Sequence, residues 1–160
     1  LAYAPGHIQP GTTVSQMALN LDVAQTILQG MDVAQPSGTP KMSGRSLLPL
    51  LLGQEIADWR DHFLYEYHWE WNFPATPTTL AIRSERYKYV YYHGIWDKNS
   101  LYDLESDPYE RHNLIRVPAF AERASKMKNQ LFAELAEAGG LTMPIRPPKG
   151  VQFYDRKLRR

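Results

Sequence analysis

Apolar and polar positions alternate most clearly in HFLYEYHWEW, 62–71. Phe63, Tyr65, Tyr67, Trp69 and Trp71 fall on one side, and His62, Glu66, His68 and Glu70 on the other. This two-residue period predicts a half-buried strand with its aromatic face toward a core, Leu64 being the one apolar exception on the polar face. Two further runs, TLAIR and RYKYVYYHG, are rich in β-branched and aromatic residues and predict a hairpin that turns near Ser84 and Glu85. Within it Lys88 faces away from Tyr87 and Tyr89, so the tyrosines are expected in the core. LYDL, 101–104, predicts another short strand. From Pro118 the period changes: Phe120, Ala124, Met127, Leu131, Leu135 and Ala138 share one helical stripe, with Pro118 suited to the first turn and Gly139 to the exit.

Upstream of these elements the pattern is less regular. In TVSQMALNLD, residues Met17, Leu19 and Leu21 alternate as in a strand, whereas Met17, Leu21, Ala24 and Leu28 recur as in a helix. Asp22 followed by Gln25 has the spacing of a capping box, which predicts a strand before Asp22 and a helix from about Asp22 to Gly30. AQPSGTPKMSG reads as a loop, and SLLPLLLG as a short helical turn ended by Gly53. The fold class expected is α+β, a small antiparallel sheet of about four strands packed on a long C-terminal helix. Three segments follow: 1–58, 59–142 and a basic, proline-broken tail at 143–160.

Composition narrows the chemistry. A chain of 160 residues with 43% hydrophobic side chains suits a real core. Its 18 basic and 17 acidic residues form no basic stripe, so nucleic acid is not the expected partner. Without cysteine, disulfide scaffolds, thiolate metal sites and cysteine nucleophiles are excluded within this chain. No apolar run is long enough to span a bilayer, the longest, 47–52, being interrupted by Pro49. The N-terminal LAYAPGHIQPG has neither a charged leader nor an apolar signal core and reads like the interior of a longer protein.

LYDLESDPYERHNL crowds Asp103, Glu105, Asp107 and Glu110 together, with alternate carboxylates as in a calcium loop. Pro108 stands where such a loop needs its glycine and Leu114 where it needs its bidentate glutamate, so the cluster reads as a turn whose carboxylates cap nearby backbone. His62 and His68, six residues apart on a strand, are roughly 20 Å apart and cannot chelate one ion. His68 and Glu70 are candidates for hydrogen bonding to a hydroxyl-rich ligand, and Trp69 or Trp71 for stacking on a sugar ring. The competing reading is an aromatic core face backed by a solvated polar face. No phosphate loop, dinucleotide fingerprint, Ser-His-Asp set or GxSxG elbow is present.

Taken in order, PGHIQPGTTVSQMALNLDVAQTIL, SGRSLLPLLLGQ, DWRDHFLYEY, AIRSERYKYV and LYDLESDPYERHNL resemble the C-terminal portion of type I sulfatases, in the alkaline-phosphatase-like superfamily. YEYHWEWNFPATPT and YYHGIWD look most like bacterial N-acetylglucosamine-6-sulfatase or mucin-desulfating enzymes. The resemblance implies the end of a catalytic domain (1–58) and a C-terminal sheet-plus-helix subdomain (59–142). It also implies hydrolysis of sulfate esters on sugars of the glycosaminoglycan or mucin type, and a periplasmic or extracellular location. Family members use a formylglycine nucleophile and a calcium ion, both expected upstream of Leu1, so no catalytic or metal residue is carried onto this chain. Ser106-Asp107-Pro108-Tyr109-Glu110-Arg111 approaches the formylglycine pattern, but its arginine falls one place late. Asp22 matches a family aspartate whose implied role is to cap a helix. His68, Glu70 and Trp71 are the candidate sugar contacts. The partners implied are an N-terminal catalytic domain and a sulfated carbohydrate. Two other readings remain: a free-standing carbohydrate-binding or interaction module, and a phosphomonoester or phosphonate ester hydrolase of the same superfamily.

Overall fold

The computed structural model describes residues 2–70, 75–93 and 99–142. The chain divides into two compact units, one comprising 1–61 and the other starting at His62.

The first unit holds two helices, α1 (Asp22–Gly30) and α2 (Leu48–Leu51). The strand expected before Asp22 does not form. Its backbone is taken up by local turns: the Asp22 and Val23 amides donate to the Leu19 and Asn20 carbonyls, and the Leu19 amide donates to the Asp22 carboxylate at 2.8 Å. A ladder needs those groups free for a neighbouring strand. α1 keeps the expected bounds, but Asp22 is its first residue and not its cap; Leu21 occupies the cap position without a side-chain hydrogen bond. In α2, Pro49 sits in the first turn, where its missing N–H costs no helical bond, and Gly53 (φ 80°) closes the turn.

The second unit is a four-stranded antiparallel sheet in the order β1-β2-β3-β4, formed by His62–Tyr67, Thr79–Ser84, Tyr87–Tyr92 and Ser100–Asp103. β2 and β3 turn where Ser84 Oγ bonds both the amide and the carbonyl of Tyr87, each at 3.1 Å. Two short 3-10 turns, Leu114–Arg116 and Pro118–Phe120, lead from β4 into α3 (Ala121–Glu137). Asn113 caps the first, accepting from the Ile115 amide at 3.0 Å.

Leu80, Ile82, Tyr89 and Leu101 from the sheet pack on Ala124, Met127, Leu131 and Leu135 of α3. The helical stripe therefore faces the core as its period predicts, except for Ala138, which is exposed. Tyr89 is buried and Tyr87 packs beside it, as the alternation with Lys88 requires.

β1 is turned over relative to expectation. Leu64 pairs with Ile82 and Glu66 with Leu80, so His62, Leu64 and Glu66 lie on the helix-bearing face and Phe63, Tyr65 and Tyr67 on the opposite one. Tyr65 is half exposed. Register decides this: Leu64, the exception in the sequence pattern, is the β1 side chain that packs against the core cluster. The strand also ends at Tyr67, earlier than the alternation suggests.

Candidate functional site

The buried charge of the first unit centres on Asp22, whose side chain is fully enclosed. One oxygen, Oδ1, accepts from the Arg45 amide at 2.8 Å and from Arg60 Nη2 at 2.7 Å. The other accepts from the Leu19 amide and from Arg60 Nη1. Arg60 and Arg45 stack on Trp59 at 5.0 and 4.7 Å from the ring centroid, and the Trp59 indole donates to the Met17 carbonyl at 2.9 Å. Burial pushes the Asp22 carboxyl up, but the Arg60 guanidinium and the Arg45 and Leu19 amides outweigh it and hold the group below its ordinary value. Gly44 makes the close approach possible, since a Cβ there would stand 2.0 Å from the Leu21 carbonyl oxygen. Asp22 is thus an anchor tying the start of α1 to the 44–45 loop and to Arg60, not a helix cap.

The acidic cluster of the second unit is committed to structural partners, as the turn reading holds. Arg86 grips buried Asp103 through Nε and Nη2 at 3.0 and 2.8 Å and reaches Glu105 at 2.9 Å. The Arg86 hydrogen bond is the main reason the Asp103 carboxyl lies below its ordinary value. Asp107 accepts from the His112 amide at 2.8 Å, and Glu110, at φ 54°, pairs with Lys88 at 2.7 Å. Among the described residues no three His, Asp or Glu side chains gather where a metal ion could be held. With Asp22 and Asp103 both gripped by arginine, the described residues do not fit a calcium site.

What remains is the end of β1. His62 Nε2 lies 2.8 Å from the Glu134 carboxylate, which also accepts from Gln130, so β1 is fastened to α3 at its start. At its other end Glu66 lies against the exit of α3. A Cβ on Gly140 would come within 2.9 Å of Glu66 Oε1 and 3.0 Å of Leu135 Cδ2, so the backbone passes close to both side chains there. Thr78 ties the strand ends together, accepting from the Trp69 amide at 3.0 Å and offering its carbonyl to the His93 amide at 3.0 Å.

His68 follows directly. Its Nε2 is 3.5 Å from Glu66 Oε2, while its Nδ1 is buried and has no hydrogen-bond partner among the described residues. Such an atom carries a desolvation cost of about 1–3 kcal/mol that a hydrogen-bond partner would offset. The charge of Glu70 is, after burial, the largest cause raising the Tyr67 phenol above its ordinary pKa. His68 and Glu70 are close in the chain, yet no hydrogen bond or ion pair joins them among the described residues. Trp71 lies outside the described residues, as does the tail at 143–160. Trp69 is half exposed.

A family model described as N-sulphoglucosamine sulphohydrolase, C-terminal, matches residues 1–137. The chain belongs to this family. An N-acetylglucosamine-6-O-sulfatase of Bacteroides thetaiotaomicron is 30% identical over 132 residues, covering 79% of this chain and 23% of that protein. The multifunctional alkaline phosphatase superfamily protein PehA of Trinickia caryophylli is 32% identical over 127 residues, covering 72% of this chain and 23% of its own length. Among solved structures, BT4656 in complex with its substrate D-glucosamine-2-N,6-O-disulfate superposes with a TM-score of 0.74 at 26% identity, over 89% of this chain and 28% of that one. The sheet-plus-helix unit is therefore the C-terminal part of an alkaline-phosphatase-like sulfatase fold. The chain spans about a quarter of the length of these curated relatives.

Sequence reasoning missed the Asp22–Arg60 pair. The two residues are 38 apart, and the only sequence signal is a run of Trp59 and Arg60 after a polar loop. It placed Glu66 on the same face as His68 but singled out Glu70, which alternation sets equally near, as the companion.

Proposed function

We propose that this sulfatase-family chain completes the fold of an enzyme that hydrolyses sulfate esters of glycosaminoglycan- or mucin-type sugars. In this reading it contributes part of the sugar-binding surface, and the nucleophile and calcium belong to the rest of the polypeptide. The chain alone then has no turnover. The observation that supports a ligand role is the buried Nδ1 of His68, which has no partner among the described residues, beside Glu66. An imidazole nitrogen can donate or accept a hydrogen bond, which suits a sugar hydroxyl or an acetamido group. Glu70, as a hydrogen-bond acceptor, and Trp71, as a stacking side chain, are the further candidate sugar contacts.

Formylglycine, when present in such an enzyme, supplies the nucleophile that attacks sulfur. This chain's share is to orient the sugar so that the sulfate meets that nucleophile. The test joins residues 1–160 to the N-terminal part of the Bacteroides N-acetylglucosamine-6-O-sulfatase in place of its own matched region. In that hybrid His68→Ala is expected to lower kcat/KM on N-acetylglucosamine 6-sulfate about tenfold, the worth of roughly one hydrogen bond to a buried group. A small aryl sulfate, which lacks the sugar, should be turned over as before. Equal losses on both substrates, or no loss on either, would remove His68 from sugar recognition.

A second reading keeps the alkaline phosphatase superfamily, which the name of PehA shares, and changes the ester to a phosphomonoester or phosphonate. Parallel assays of sulfate and phosphonate esters on the complete polypeptide separate the two.

A further inference from the structure

Strand pairing lays two rows of side chains across one end of the helix-bearing face. In the first, Glu66 stands opposite Leu80 and Leu80 opposite Tyr91. α3 covers this row, with the Phe132 ring meeting Tyr91 edge-on at 5.1 Å. Two residues further along the three strand paths come His68, Thr78 and His93. His68 stays on the Glu66 side, with Nε2 3.5 Å from Glu66 Oε2, and the His93 ring stays on the Tyr91 side, tilted against it at 6.3 Å. Both imidazoles therefore lie on the helix-bearing face, one strand to either side of Thr78. Thr78 is buried and holds the backbone next to each: its Oγ1 accepts from the Trp69 amide and its carbonyl from the His93 amide, both at 3.0 Å. Pro77, which would stand opposite Trp69 in a continued ladder, has no N–H to give, so a hydroxyl replaces the next backbone rung.

We infer that His93 is a second sugar contact, held level with His68 by Thr78, and that the two imidazoles bind different polar substituents of one sugar. The inference rests on the reading of His68 as a sugar contact. Two strand spacings separate the rings, about 10 Å. One hydroxyl cannot meet both across that distance, and neither can one metal ion, so each ring serves a group of its own. His93 is exposed, and among the described residues its ring makes the Tyr91 contact but no hydrogen bond. Its nitrogens are thus open to a ligand. Tyr91, itself fixed by Phe132, gives the ring a wall to lean on, and a ring already held in place loses little further freedom when a sugar arrives.

The test measures kcat and KM on N-acetylglucosamine 6-sulfate in the hybrid enzyme described above, for wild type, His68→Ala, His93→Ala, His93→Gln and His93→Phe. The bond from an exposed ring competes with water, so His93→Ala should raise KM about threefold and leave kcat as it is. His93→Gln keeps a donor and an acceptor and should recover most of that loss. His93→Phe keeps a ring against Tyr91 without a polar atom, and should be as weak as His93→Ala. Because His93 is exposed, thermal unfolding of its variants should match wild type. A His93→Phe enzyme with the wild-type KM would show that the ring only packs on Tyr91, and would overturn the proposal. If His68→Ala lowers kcat/KM while His93→Ala changes nothing, His93 is no contact, although the reading of His68 stands. If neither alanine variant differs from wild type, or the folded hybrid has no turnover, the sugar-contact reading itself falls and the inference with it.

Discussion

Asp22→Ala is expected to destabilise the first unit by about 3–5 kcal/mol, the scale for removing one partner of a buried ion pair. The change leaves the Arg60 guanidinium without its partner in a mostly buried position and strips the Leu19 and Arg45 amides of their acceptor. Chemical denaturation followed by Trp59 fluorescence measures it, because both stacking arginines depend on the same cluster. The pH dependence has a definite sign. The folded Asp22 carboxyl lies below its ordinary value, so its stabilisation is fully present above the unfolded value of about 3.9. It is lost as pH falls through the folded one. Asp103 acts in the same direction in the second unit. Wild type should therefore lose stability more steeply on acidification than Asp22→Ala. Parallel acid profiles for the two proteins would show that Asp22 contributes no linked protonation.

Leu131→Ala is the second large effect expected, about 2–5 kcal/mol by the cost of a buried leucine truncation. Leu131 is fully buried in the middle of the α3 stripe, facing Leu80, Ile82, Tyr89 and Leu101. A hole there loosens α3 from the sheet, and with it the His62–Glu134 contact that fastens β1. Because β1 leads directly into His68, the sugar-contact candidates depend on this packing. Leu141→Ala is the comparison: Leu141 is 57% exposed, so its truncation should change stability by less than about 0.5 kcal/mol. Similar losses for the two variants in urea denaturation would contradict the assigned core.

Most of the second unit was legible in the pattern of side chains. β2, β3, β4 and α3 each combine a local period with local punctuation: the Ser84 turn, the Asp107-Pro108 turn, Pro118 and Gly139. β1 was legible as a strand but not in its facing. Its composition places more apolar surface on the Phe63-Tyr65-Tyr67 side, whereas pairing with β2 puts Leu64 over Ile82 and turns that side away from α3. Local sequence does not contain the register of a neighbouring strand. The polar residues brought onto the helix side are accommodated individually, His62 by Glu134 and Glu66 by the absent side chain of Gly140.

Asp22 shows the same limit at longer range. Its spacing from Gln25 fits a capping box, and a capping box accounts for the aspartate locally. Only the fold brings Arg60 and the Arg45 amide to it. For the candidate site, the chemistry of His68 could be named from sequence, but its companion could not: strand alternation places Glu66 and Glu70 equally two residues away, and the strand stops at Tyr67, before His68. The resemblance to sulfatases carried more than the local patterns did, because it rests on five ordered segments spread along the chain.

Sulfate release from N-acetylglucosamine 6-sulfate, measured side by side for residues 1–160 alone and for the same residues joined to the N-terminal part of the Bacteroides relative, tests the central claim most directly. Release by the joined protein and none above buffer by the isolated chain is the predicted result. Release by the isolated chain, or a folded joined protein that releases none, would contradict it.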